Sequence, residues 1–386
     1  MTVPLQPQSA REGERVGGGA GGLGPSANAG GLVSLDGERA GSGAWTEPGA
    51  YPVAPGIHRI PLPLPGDGLK AVNVYAIEDG DRIAIVDAGW HRSDSWEALR
   101  DGLRVIGAQP GDVGNVLVTH VHHDHYGQAP AIRRAGGGVI VLGEGERLAF
   151  DTFETPEGRR RADEWGHDSL VRIGAAELAG EMAELMGEID PDRKRGHAEW
   201  ERPDRWVEDG QTVGLGTRTL DVIGCPGHTR GHVGFFDRES EVFFTGDHVL
   251  PHITPSIGVE IFNDDHGLVE FIASLAKVRQ LPARRVLPAH GPDFEGLAAR
   301  VDELLEHHAT RLSQCIDAVR TRARSPYDVA HDLRWTRRQR GYEELDTFNR
   351  MLAVHETAAH LELLALQGTL TRTVGEDGVV RFGLAP

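Results

Sequence analysis

The segment Thr119-His120-Val121-His122-His123-Asp124-His125 sets four imidazoles and a carboxylate within six consecutive positions. It closes the apolar run Val116-Leu117-Val118. In an extended or loosely turning segment His120 and His122 project to the same side and can share one metal ion. Asp124 and His125 fall on the following turn, within reach of a second ion. Neutral imidazole and carboxylate suit zinc and also iron or manganese, so the spacing leaves the metal open.

Later segments supply what such a site still needs. Cys225-Pro226-Gly227-His228-Thr229-Arg230-Gly231-His232 follows the strand-like Leu220-Asp221-Val222-Ile223. Phe243-Phe244-Thr245-Gly246-Asp247 ends an apolar run in a carboxylate, and Val286-Leu287-Pro288-Ala289-His290-Gly291 ends another in an imidazole. Each polar group stands just past a short β-rich stretch, beside a Gly or Pro that turns the chain. Ligands at several strand ends, gathered on one sheet edge, are how a rigid scaffold assembles a site from distant sequence.

This order of His-x-His-x-Asp-His, a later His, an Asp and a final His resembles the metallo-β-lactamase superfamily. The resemblance runs from roughly Gly56 to Gly291. Val72-Asn73-Val74-Tyr75 and Ile85-Val86-Asp87-Ala88-Gly89 are similar to that family's opening hairpin and its Asp-x-Gly turn. The resemblance implies His120, His122 and His228 on one metal and Asp124, His125 and His290 on the other, with Asp247 bridging. It implies two divalent ions, zinc foremost, with iron or manganese as alternatives. The pattern departs from the antibiotic-hydrolysing lactamases and stands closer to the glyoxalase-II-like and ribonuclease-like branches. Antibiotic hydrolysis is therefore not expected.

The neighbouring residues have plainer readings as well. Asp87, at a strand end, is expected to brace a turn or a ligand histidine rather than to bind metal. His123 should point away from His120 and His122, toward the surface or a supporting role. His232 and His248 adjoin the site in sequence and are candidates for substrate contact or for support of the ligands. Tyr126 either faces substrate or packs. Cys225 reads as a small buried hydrophobe.

At 386 residues the chain holds ample material for a core. Two cysteines, Cys225 and Cys315, make no disulfide framework and point to a reducing compartment, so a cytoplasmic location is expected. No apolar run is long enough for a membrane span. Residues 1–53 are expected as a Gly-rich disordered tail, with charge where a signal peptide needs an apolar stretch. The formal charge of −18 disfavours non-specific contact with nucleic acid or anionic membrane.

Residues 54–296 read as the catalytic unit. Val72 to Ile77 and Arg82 to Val86 form a hairpin around Glu78-Asp79-Gly80-Asp81. Ser95 to Val105 reads as a helix, with Trp96, Leu99 and Leu103 on one face. Val139 to Leu142 is a buried strand. Residues 144–209 turn acidic and helical, an insertion in which Leu178, Met182, Leu185 and Ile189 mark an amphipathic helix. If the insertion shapes the pocket, Trp165, Met182 and Trp200 are its apolar contacts. Strands return at Thr219 to Ile223, Val233 to Phe236 and Glu241 to Phe244. A helix stripe at Leu268, Phe271, Ile272 and Leu275 leads to a last strand, Arg285 to Leu287. This is the pattern of a four-layer αββα sandwich within the α/β class. A dinucleotide fold is disfavoured, because no Gly-x-Gly-x-x-Gly follows a strand.

Residues 297–386 change character. Leu297 to Arg320 reads as a long helix, Ser325-Pro326 opens a second, and Asp346 to Gln367 forms a third, closed by Gly368. A hairpin of Thr369 to Val374 and Val379 to Phe382 ends the chain. The arrangement resembles the winged-helix appendage of lactamase-like proteins related to a metal-dependent endoribonuclease, a resemblance carried by Glu356-Thr357-Ala358-Ala359-His360-Leu361. The third helix carries Arg350 among Asp346, Glu356 and Glu362, short of the basic and amide side chains that reading DNA requires. Arg334, Arg337, Arg338 and Arg340 are offset by Glu343 and Glu344. The appendage is expected to pack on the catalytic unit, line its pocket or form a homodimer contact, without recognising DNA sequence.

The chemistry expected of the site is metal-dependent hydrolysis. Two cations sharing a hydroxide would lower its pKa and polarise a scissile bond, with Asp124 orienting the nucleophile and taking its proton. The expected substrate is a small-molecule thioester, ester or lactone, and the alternative is single-stranded RNA. A non-catalytic role would predict missing ligands, and none is missing. A flavin-dependent oxygen reductase is disfavoured because the first motif has His122 rather than a Glu. Spacing alone leaves a mononuclear iron dioxygenase open.

Overall fold

A computed structural model describes residues 45–64, 69–189, 201–261, 267–336 and 338–386. Residues 1–44 of the expected tail, together with Trp200 and Arg337, lie outside the described residues. The first sheet contains β1 (Tyr51–Ala54), β2 (Ile57–Pro63), β3 (Ala71–Asp79), β4 (Arg82–Val86), β5 (Val113–Leu117), β6 (Val139–Gly143) and β7 (Arg205–Val207), adjacent in that order. Pairing is antiparallel from β1 to β4 and parallel from β4 to β7. The second sheet contains β8 (Thr212–Gly214), β9 (Thr219–Gly224), β10 (Val233–Asp237), β11 (Val242–Gly246) and β12 (Arg285–Pro288), with only β11 and β12 parallel.

Alternation along the strands builds the layers. On β3, Tyr75 and Ile77 enter the core between the sheets, while Val72, Val74 and Ala76 face the outer helices. Phe235 and Phe244 of the second sheet complete the inner core, with the Tyr75 and Phe244 rings edge to face at 5.5 Å. Outside the first sheet, α1 (Ser93–Val105) packs Leu99 and Leu103, joined by Ile132 of α3 (Ala129–Gly136) beyond the short α2 (His123–Tyr126). Outside the second sheet lie α7 (Gly267–Val278), through Leu268, Phe271 and Leu275, and the first half of α8 (Leu297–Ala318), through Val301 and Leu304. The result is an αββα sandwich.

Two expected boundaries shift. Tyr51–Ala54 forms β1 and pairs with β2, so part of the expected tail belongs to the sheet. Pro52 fits there because β1 is an edge strand, where a missing N–H costs no ladder bond. The end of the expected insertion is likewise sheet: Arg205–Val207 pairs with β6. Among its described residues the segment also forms α4 (Arg147–Phe153), α5 (Pro156–Arg172) and α6 (Ala176–Ile189).

A further core unites the insertion with the C-terminal elements. Leu170, Leu178 and Met182 from α5 and α6 pack with Val329 of α9 (Pro326–Asp332), Leu352 and Leu361 of α10 (Thr347–Leu366), and Phe382 of the β13 (Leu370–Val374) and β14 (Val380–Leu384) hairpin. Met182 is thus turned into this core rather than toward a substrate. Ser325 caps α9 by accepting from the Asp328 N–H, and Asp346 caps α10 by accepting from that of Asn349.

Candidate metal centre

Five strands deliver the site. β4 and β5 are parallel, and β9, β11 and β12 share one direction, since β10 runs opposite to β9 and β11. The C-terminal ends of each set lie on one edge. Backbone bonds lock the two edges together: the Val233 N–H donates to the Thr119 carbonyl at 2.9 Å and the Asn73 N–H to that of Ala289 at 2.7 Å. Gly246, at φ 52°, turns the chain after β11; a Cβ there would come within 2.7 Å of both His232 Nε2 and Thr119. A side chain at that position would displace the loop that carries Asp247.

Three overlapping groups of ligand atoms result, two of them linked through the third, His120 with His125 and Asp247, and together they hold all seven residues named from the sequence. In the first, His120 Nε2 lies 2.9 Å and His228 Nε2 3.1 Å from His122 Nδ1. In the second, Asp124 Oδ2 lies 3.4 Å from His125 Nε2 and 3.3 Å from His290 Nε2. Asp247 stands between them. Its Oδ1 faces His125 and His290 at 3.6 and 3.3 Å, and its Oδ2 faces His228 at 3.6 Å. Of the seven, only His122 is partly exposed, so the cluster opens to solvent on its side.

The electrostatics suit cations. Burial, reinforced by neighbouring imidazoles, keeps His120 well below the ordinary histidine range, and burial with the neighbouring His228 does the same for His122; both therefore stay neutral with a lone pair to give. Burial alone would raise the Asp124 carboxyl, but His125 and His290 beside it outweigh that and hold it well below its usual range. His125 Nε2, His290 Nε2 and Asp247 Oδ1 are buried and without hydrogen-bond partners. Orphaned polar atoms converging like this are expensive unless a cation satisfies them. The donor set therefore fits a metal centre.

Most of the opposite ring nitrogens are engaged, which fixes ring orientation. His228 Nδ1 donates to the Ser256 carbonyl and His290 Nδ1 to that of Ala71, each at 2.8 Å. His120 Nδ1 lies 3.1 Å from Thr119 Oγ1. Asp87 accepts from the Thr119 N–H and faces His125 Nδ1 at 3.0 Å, a bracing role in contact.

The remaining residues sort by what they touch. His232 accepts the Asp247 N–H at Nε2 and stacks on His120, so it supports the cluster from within. His248 is fully buried against Phe271, behind the site and away from solvent. Tyr126 packs on Phe150 and donates to the Glu201 carbonyl at 2.6 Å. His123 stacks on Trp90. Burial pushes the Cys225 thiol up to about 12, which leaves it no thiolate to attack with. Two contributors had no role in the sequence reading. Asn73 Nδ2 donates to the Pro288 and Gly291 carbonyls around His290; an amide inside an otherwise apolar strand was its signal. Glu146 is the other, and no local pattern marks it.

A two-sheet sandwich with His and Asp ligands gathered at its strand ends defines the class of protein. Residues 67–290 match the family model of the metallo-beta-lactamase superfamily, and residues 312–385 that of the metallo-beta-lactamase-like C-terminal domain. The chain belongs to the metallo-beta-lactamase superfamily. It is similar to a metallo-beta-lactamase family protein from Thermus thermophilus, with TM-score 0.71 and 25% identity, covering 86% of this chain and 100% of that one. It is 26% identical over 268 residues to an atrochrysone carboxyl ACP thioesterase of Aspergillus fumigatus, 69% of this chain and 66% of that protein. It is 33% identical over 115 residues to a beta-lactamase-like protein 2 homolog of Caenorhabditis elegans, 30% of this chain and 36% of that one. The chain thus spans less than two thirds of the length of these two relatives. No helix among the described residues is long and apolar enough to cross a membrane.

Proposed function

We propose that this protein is a metal-dependent hydrolase that cleaves a small-molecule thioester, ester or lactone at a dinuclear centre, with zinc the first choice of ion. The observation that carries this reading is Asp247, whose two oxygens face different histidine groups. A carboxylate shared in that way suits two cations held at bridging distance. His120, His122 and His228 would hold one ion and Asp124, His125 and His290 the other. Bound there, such ions supply polarisation of the scissile carbonyl and a lowered pKa for water.

The chain's own groups do the rest. Asp124, kept ionised by its imidazole neighbours, orients the attacking water and takes up its proton. Substrate approaches on the side of His122. No side-chain nucleophile is needed, which agrees with the inert Cys225. Within this class the likeness to an ACP thioesterase favours thioesters. The charge of −18 weighs against a polyanion such as RNA.

The test is thiol release from a panel of acyl thioesters by protein reconstituted with zinc, manganese or iron. Asp124→Ala should lose turnover by about 100-fold or more while the fold survives. Near-parental turnover in a metallated variant would remove Asp124 from this role. If the metallated parent releases no thiol, lactones and then single-stranded RNA become the substrates to try.

A further inference from the structure

Glu146 lies far in sequence from every ligand, yet it is 1% exposed and joined to the two loops that supply the first ligand group. Its Oε1 accepts from Thr229 Oγ1 at 2.5 Å, one residue after His228. The Val121 backbone, between His120 and His122, lies near the same carboxyl and favours its charged form. The contact between the Glu146 and Thr229 loops is close. A Cβ on Gly231 would lie 2.2 Å from the Glu146 nitrogen, and one on Gly143 would lie 2.0 Å from the Gly231 carbonyl oxygen. The loop after β6 and the loop after β9 therefore meet backbone to backbone, leaving no slack for either to slide. On its far side the second loop is held by Glu260, which accepts from the Arg230 N–H at 2.8 Å and from Arg230 Nε at 3.0 Å.

We infer that Glu146 is a positioning residue for the His120, His122 and His228 group, tying the His120–His122 segment to the His228 loop at one carboxyl. This rests on reading that group as a metal site. The alternative is a buried polar contact serving stability alone, and the two differ in what they predict. A tie between ligand loops acts on one group of donors. The second group is carried by α2 and the loops after β11 and β12, whereas the carboxyl's hydrogen bond goes to Thr229. Burial beside Glu260 pushes the Glu146 carboxyl up to about 8, so near neutral pH it carries a proton. A glutamine then reproduces both its shape and its acceptor oxygen.

The experiment is a zinc titration of chelated, full-length protein against a competing chromophoric chelator, with bound equivalents counted by elemental analysis. For Glu146→Ala, one of two equivalents should weaken by about 10- to 100-fold, the usual loss when a supporting contact of a ligand is removed. The other equivalent and the circular dichroism should hold. Glu146→Gln should bind like the parent. Thr229→Val, which deletes only the hydroxyl donor, should weaken the same equivalent, and it carries the test if Glu146→Ala does not fold. A folded Glu146→Ala or Thr229→Val with parental affinity overturns the inference, as does equal weakening of both equivalents. A parent that binds no zinc would instead overturn the reading of the metal site.

Discussion

Asp87 adopts φ 60°, left-handed backbone that residues other than glycine seldom occupy. Its carboxylate meets Thr119 and His125 together, so the strained turn is kept by the contacts that orient the cluster. Tyr126, one residue past His125, makes a contrast, because its hydroxyl is spent on the Glu201 carbonyl and its ring on Phe150. Tyr126→Phe should leave turnover unchanged and lower stability by about 1 kcal/mol, the net worth of one buried hydrogen bond. Thioester turnover and a urea midpoint check both parts. A loss in kcat of roughly tenfold, about 1.4 kcal/mol, with metal retained would return Tyr126 to the substrate side. At this scale the seven candidate ligands were legible as a cluster because metal-binding side chains group in type and follow apolar runs. The orientation of Tyr126 and the part played by Glu146 were not, since each depends on partners 75 and 83 residues away.

Among the elements, strands and helices announced themselves where period and punctuation agreed, as at the hairpin of β3 and β4 or the Ser-Pro start of α9. The partner of an amphipathic face carries no such mark. The stripe at Leu178, Met182 and Leu185 was plain in the sequence, but nothing local says that it meets α10 and the terminal hairpin across more than 160 residues of chain. Because these elements share one core, damage to one should be felt by the other. Leu178→Ala leaves a cavity worth about 2–5 kcal/mol. Amide hydrogen exchange should then show α6 and α10 losing protection together, with the inner strands β3 and β4 unchanged. Loss confined to α6 would mean that insertion and C-terminal helices open independently.

The molecule as a whole buries imidazoles in its helical layers as well as in its site. His248, against Phe271 and near Ser274 and Lys277, is pushed down to about 3 by burial. His355, beside Arg172, is pushed to about 4, and His360, among Glu356, His308, His307 and Arg311, to about 3. In the unfolded chain each would titrate near 6.5. Between these values the unfolded state binds more protons than the folded one, so stability is present above about pH 6.5 and lost as pH falls toward 4 and below. Glu146 opposes this, because its raised pKa favours folding as pH drops from about 8. Glu356, His125 and His290 act in the same sense as Glu146, but the histidines held below their ordinary range outnumber these groups, at up to about 1.4 kcal/mol per group and pH unit. The urea midpoint of metal-free protein should therefore fall between about pH 6.5 and about pH 5. His248→Phe should flatten that fall by up to one group's share, since it removes the titrating nitrogen and keeps a ring against Phe271. Equal midpoints at the two pH values would refute the neutral burial of these histidines. An unchanged slope in the variant would remove His248 alone from the set.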